Sequence, residues 1–325
     1  MRRIIAVMAA FLLVTAPCAS TAQTSTALKP VPPQLVILDT DIGDDIDDAF
    51  ALALLLQSPE VKLLGITTAF GDTELRARLV DRYLKALGRD QIPVYAGVAT
   101  PANNRFTQAA YARHEPARKH GDGTGFILRA IRLHPKQITL VAIGPLFNVQ
   151  AAIARDPATF RELKCVVIMG GSIYRGYDNG DPAGNPPPSP EWNIVRDPAG
   201  ARALLQSGVP VFMMPLDSTQ IRLAQPALAT LLAHGSPLTD QLTLLYHQWS
   251  GDGAWQTPTL YDPVAASYVL RPDLCPVTPM HIDVDEQGFT RPVAGAPPNA
   301  QVCLKADVSA FEQFLMHRVL ADAMH

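Results

Sequence analysis

A chain of 325 residues with 48% hydrophobic content is long enough to bury a sizeable core, as one large domain or two small ones. Its 27 basic and 30 acidic side chains leave a formal net charge of -3, without the basic face that nucleic-acid phosphates require. Nucleic acid is therefore excluded as the expected partner, and a small neutral molecule or a metal ion fits better.

The chain starts MRRIIAVMAAFLLVTAPCASTAQ, with two arginines, an apolar run and then the small residues Ser20, Thr21 and Ala22, the pattern of an export signal cleaved near Ala22. The run is short for a membrane anchor. The expected organisation is a cleaved signal over 1–22, a flexible leader over 23–34 and one domain over 35–325, periplasmic or secreted and free of the membrane after cleavage. Export implies an oxidising compartment. Cys165 then reads as a buried strand residue, whereas Cys275 and Cys303 flank late strand-like segments, where a disulfide and a free buried thiol are both open.

From residue 35, short apolar runs alternate with helical patterns. Strands are expected at LVILDTD (35–41), KLLGITTAF (62–70), ITLVAIG (138–144), CVVIMGG (165–171) and VPVFMMPLD (209–217), and helices at 47–58, 73–88, 145–157 and 197–208. Strands apolar throughout, with helices between them, indicate a doubly wound α/β domain with a mostly parallel central sheet and helices on both faces. Such sheets bind ligands at the carboxyl ends of their strands, and the unusual polar residues fall at those ends. The segment 170–197, rich in Gly and Pro, shows neither period and reads as a functional loop or a solvated flap. The segments 280–292 and 301–308 read as a hairpin-like end, and 308–323 as an amphipathic helix docked on the domain.

The stretch VILDTDIGDDIDDAFALALLL puts six aspartates, Asp39, Asp41, Asp44, Asp45, Asp47 and Asp48, into ten positions. Carboxylates so close at the end of a buried strand repel, so protons or a cation must neutralise some of them. A hard divalent cation is the simpler answer, and oxygen ligands without His or Cys favour calcium or magnesium over zinc. Helix capping accounts for Asp47 and Asp48 but not for six acids. A strand ending in DxD also resembles the haloacid-dehalogenase phosphatases, but Gly43 stands where those have Thr or Val.

Taken in order, VILDTDIGDDIDDAFAL, LLGITTAFGDT, VAIGPLFN, VIMGG, PSPEWNIVRDPAGA and TLYDPVAA resemble the signature blocks of the calcium-dependent nucleoside hydrolases. The likeness runs from about residue 35 to 315, and ordered blocks are far more specific than DxD alone. It implies hydrolysis of the N-glycosidic bond of ribonucleosides to free nucleobase and ribose, with a calcium cofactor, a small-molecule nucleoside partner and a dimeric or tetrameric homo-oligomer. The family's shorter DPGxDD loop matches Asp41 to its first aspartate and Asp47 and Asp48 to its closing pair, leaving Asp44 and Asp45 as an insertion with no assigned role.

By the same resemblance Asp41 is calcium ligand and general base toward a calcium-bound water, with Asp48, Asp262 and the backbone carbonyl of Phe147 as further ligands. Asp47, Asn185, Glu191 and Asn193 match contacts to the ribose, and Asp72 stands on the substrate side where many relatives have Asn. Tyr261 replaces a histidine that protonates the leaving base. Its hydroxyl, with an ordinary pKa of ~10, is a weaker acid than imidazolium. His120 in KHGDGTG resembles another base-side histidine and is a second candidate acid, an ordinary loop histidine being the alternative. Two further readings stay open: a calcium-containing nucleoside- or sugar-binding protein without turnover, and a hydrolase of another N-riboside.

Overall fold

The computed structural model describes residues 32–101, 106–178, 184–251 and 256–321. Its strands are β1 (Gln34–Thr40), β2 (Val61–Thr68), β3 (Val94–Ala96), β4 (Gly121–Asp122), β5 (Ile138–Ala142), β6 (Cys165–Met169), β7 (Val211–Met214), β8 (Val277–Met280), β9 (Ile282–Val284), β10 (Thr290–Pro292) and β11 (Ala300–Cys303). Nine of them form one sheet in the order β4-β3-β2-β1-β5-β6-β7-β11-β8. Every pairing in it is parallel except β11 with β8. Residues 1–22, the expected export signal, lie outside the described residues; those from Pro33 onward form one compact unit.

Alternation along β1 shows why its run is apolar throughout. Val36 and Leu38 enter the core on one face, with helices Asp47–Leu56, Thr73–Ala86, Tyr261–Leu270 and Val308–Val319. Ile37 enters the core on the other, with Gly123–Leu133, Phe147–Arg155 and Pro198–Gln206. A strand covered on both faces has no solvent side to fill with polar residues, and each fully buried aliphatic side chain contributes about 1.5–3 kcal/mol. The strand order reverses at β1, whose parallel neighbours are β2 on one side and β5 on the other. That is the switch point where such sheets open a crevice.

Helix starts follow their caps. Asp72 accepts the N–H of Leu75 at 3.0 Å ahead of Thr73–Ala86, and Asp197 accepts that of Gly200 at 2.9 Å ahead of Pro198. Three differences from the sequence reading have local causes. The segment 170–197 holds a short helix, Trp192–Arg196, capped by Glu191. The hairpin is made within 280–292 by β9 and β10, whereas β11 joins the main sheet beside β7. Helix Tyr261–Leu270 has seven buried residues in ten, and so lacks the polar face that gives a helix its period. Cys275 and Cys303 are joined as a disulfide with their Cα atoms 5.6 Å apart, and Cys165 is a buried free thiol.

Candidate active site

A cavity of about 350 Å³ lies at the carboxyl ends of β1, β5 and β6. β1 leads into Asp41; Ile143 and Met169 follow or end β5 and β6. The loop after β1 adds Asp44, Asp45, Asp47 and Asp48, the long loop after β6 adds Tyr177, Glu191, Trp192 and Asn193, and the start of helix Tyr261–Leu270 adds Tyr261 and Asp262.

The acidic residues do not all serve one point. Asp47, Asp48 and Asp262, all buried, each bring a carboxylate oxygen within 4.8 Å of the others. Asp48 accepts the Thr40 hydroxyl at 2.5 Å, and an Asp47 oxygen accepts the backbone N–H of Asp262 at 3.1 Å. Burial and then repulsion from the surrounding carboxylates, Asp41 and Asp45 among them, hold all three carboxyls well above the usual range. Asp41 is raised to about 7, by burial against the opposing pull of the Arg76 guanidinium. Asp39 sits one layer deeper, with one oxygen taking Thr67 at 2.5 Å and Asn148 at 2.6 Å. Its other oxygen is buried without a partner, and burial lifts its pKa to about 6. Crowded, buried carboxylates with no His or Cys among them are a donor set that fits a hard divalent cation.

The sugar-side residues are held by backbone. Glu191 accepts the N–H groups of Asn193 at 2.9 Å, Gly171 at 3.0 Å and Ile194 at 3.1 Å, yet burial still raises its carboxyl to about 7. Asn193 commits its amide nitrogen to the carbonyls of Ile143 at 2.9 Å and Met169 at 3.1 Å, so its oxygen is the atom left to face a ligand. Tyr261 is half-buried, its hydroxyl pushed up to about 12 by burial and by the charges of Asp47 and Asp45. Tyr177 crosses it edge to face at 6.3 Å and accepts the Trp192 N–H at 2.9 Å.

Three residues chosen from the sequence, Asp72, His120 and Asn185, are not among those lining this cavity. Asp72 is exposed and serves as a helix cap, because its position immediately precedes Thr73–Ala86. His120 is buried away from the cavity, its ring nitrogens 2.6 Å from Glu74 and 2.9 Å from Asp81; those bonds outweigh burial and raise its pKa. It clamps its loop to helix Thr73–Ala86. Asn185 is exposed and is not among the lining residues. Phe147, assigned through its backbone carbonyl, opens its helix with its ring stacked on Phe70 at 6.2 Å. Conversely, Tyr177 lines the cavity without any signal in the sequence, since it lies in a stretch with no period. Trp192, read as packing, also lines it.

A doubly wound sheet with a carboxylate-lined cavity at its switch point has the form of an α/β enzyme site that could hold a metal ion. The profile of the inosine-uridine preferring nucleoside hydrolases matches residues 36–313, and the chain belongs to that family of hydrolases acting on N-glycosyl bonds. The non-specific ribonucleoside hydrolase RihC of Escherichia fergusonii is 30% identical over 310 residues, covering 89% of this chain and 98% of that one. RihC of Escherichia coli K12 is 30% identical over 302 residues, covering 86% and 96%. Among solved structures, the plant nucleoside hydrolase PpNRh1 superposes with a TM-score of 0.78 at 24% identity, covering 90% of this chain and 100% of that one. A purine-preferring ribonucleoside hydrolase from Gardnerella vaginalis gives 0.75 at 24%, covering 88% and 98%. At that identity the structural likeness speaks for the fold.

Proposed function

We propose that the protein hydrolyses the N-glycosidic bond of ribonucleosides to nucleobase and ribose, with Asp41 as general base and calcium as the cofactor. The observation that carries this reading is the placement of Asp41 at the end of β1, in one cavity with the trio Asp47, Asp48 and Asp262 and with Glu191 and Asn193. Asp41, Asp48 and Asp262, with the backbone carbonyl of Phe147, would hold the cation, and Asp47 adjoins it. When bound, calcium supplies the charge that acidifies a water and fixes its direction of approach.

Asp41 takes the proton from the attacking water. As the bond to the base breaks, positive charge develops on the ribose ring, and the carboxylates around it stabilise that charge more than the neutral ground state. Glu191 and Asn193, fixed by backbone bonds, hold the sugar hydroxyls without reorganising. Tyr261, whose hydroxyl stays protonated at neutral pH, is the donor assigned to the leaving base. Direct attack by water inverts the anomeric carbon. Nuclear magnetic resonance of the newly released sugar tests this: α-ribose first, from inosine or uridine, is expected, and β-ribose would reject direct attack.

Export is part of the same proposal, supported by the pattern of 1–22 and by the Cys275–Cys303 disulfide. So is assembly as a dimer or tetramer, supported by the family resemblance alone.

A further inference from the structure

Arg76 is the largest fully buried side chain among the described residues, 1% exposed. It projects from the first turns of helix Thr73–Ala86 beneath the acidic loop. Its Nε donates to the carbonyl of Phe70 at 2.8 Å, and Nη1 donates to the carbonyls of Asp41 and Ile42, the latter at 3.0 Å. Nη2 donates to an Asp44 carboxylate oxygen at 2.8 Å. One guanidinium thus ties the loop after β1 to the loop after β2. Phe70, at φ 62°, is an uncommon left-handed non-glycine residue, and its ring meets Trp192 of the cavity edge to face at 6.0 Å.

The inserted residues complete this unit. Phe106 lies over the guanidinium at 5.0 Å and occupies the space of a Cβ on Gly43, only 2.0 Å from where one would sit. Gly43 is at φ +126°, so glycine alone serves there on both counts. Asp44 is brought to Arg76 by that turn.

We infer that Arg76 is a positioning residue for the reaction, fixing the backbone that carries Asp41, and that Asp44 is its counter-ion rather than a ligand of the cation. This rests on the function proposed above. A planar fork can hold three carbonyls and a carboxylate at once; a lysine ammonium in the same place keeps the charge but not the fork. Displacement of a reacting group by about an ångström costs on the order of a hundredfold in rate.

The test uses Arg76→Lys, Asp44→Asn and Asp44→Ala in the full chain, with kcat and KM on inosine and calcium affinity by calorimetry. Arg76→Lys is expected to lower kcat by roughly ten- to hundredfold with KM within about threefold. Asp44→Asn and Asp44→Ala are expected to bind calcium within about threefold of the parent, and Asp44→Ala to lose about tenfold in kcat. Unchanged kcat in Arg76→Lys overturns the positioning role, and loss of calcium affinity by more than about tenfold in Asp44→Asn makes Asp44 a ligand and overturns its assignment. Should Arg76→Lys fail to fold, Asp44→Ala decides the positioning role by its kcat. If the parent itself releases no base, the proposed function fails, while calcium binding by the Asp44 variants still decides the counter-ion.

Discussion

Asp262 donates its backbone N–H to a carboxylate oxygen of Asp47 at 3.1 Å, across a sequence separation of 215 residues. Each lies in the first turn of a helix, and the two helices, Asp47–Leu56 and Tyr261–Leu270, pack directly on one another. Two positive helix ends converge on one acidic pocket, which lowers the cost of crowding carboxylates there. Asp262→Ala should weaken calcium binding by at least about tenfold, measured calorimetrically. Unchanged affinity would remove Asp262 from the cation site.

Asp41→Asn keeps the size and the polar contacts of the side chain but cannot accept the proton of the attacking water. Its kcat on inosine should fall by about 10²–10⁴, with KM little changed. A variant at near-parental rate would reject Asp41 as the base.

The raised carboxyls also predict how stability responds to pH. In chelated protein Asp39, Asp41 and Glu191 titrate at about 6, 7 and 7, whereas the unfolded chain releases those protons near its ordinary values. Between those limits the native state holds more protons than the unfolded one, so stability falls as pH rises. Melting temperature in chelator should therefore drop between pH 5 and 7.5, and calcium should offset the drop by replacing protons as the neutralising charge. A melting temperature in chelator that rose over this interval would contradict the account.

Tyr261→Phe removes the proposed donor to the leaving base and little else. Inosine hydrolysis should slow by roughly tenfold or more, whereas a nitrophenyl riboside, whose leaving group needs no proton, should be nearly unaffected. Equal losses on both substrates would mean that Tyr261 only packs.

The core sheet was legible because strands buried on both faces are apolar without interruption. The acids were legible because six of them in ten positions cannot be explained by capping. Arg76 was not: nothing in RARLVDRYLKAL marks which arginine turns inward, and its bond to Asp44 spans a separation of 32. His120 was misplaced for a related reason. A histidine beside GDGTG looks available, but Glu74 and Asp81, half-buried on helix Thr73–Ala86, take both ring nitrogens. Asp72 is engaged by a purely local interaction, the cap of its own helix, which its place before Thr73 could have signalled.

The most direct measurement is release of free base from inosine, adenosine, guanosine, uridine and cytidine by the purified protein, with calcium, after chelation, and with calcium restored. Release should disappear on chelation and return with calcium. No release from any of the five with calcium bound, or release indifferent to chelation, would contradict the proposed function.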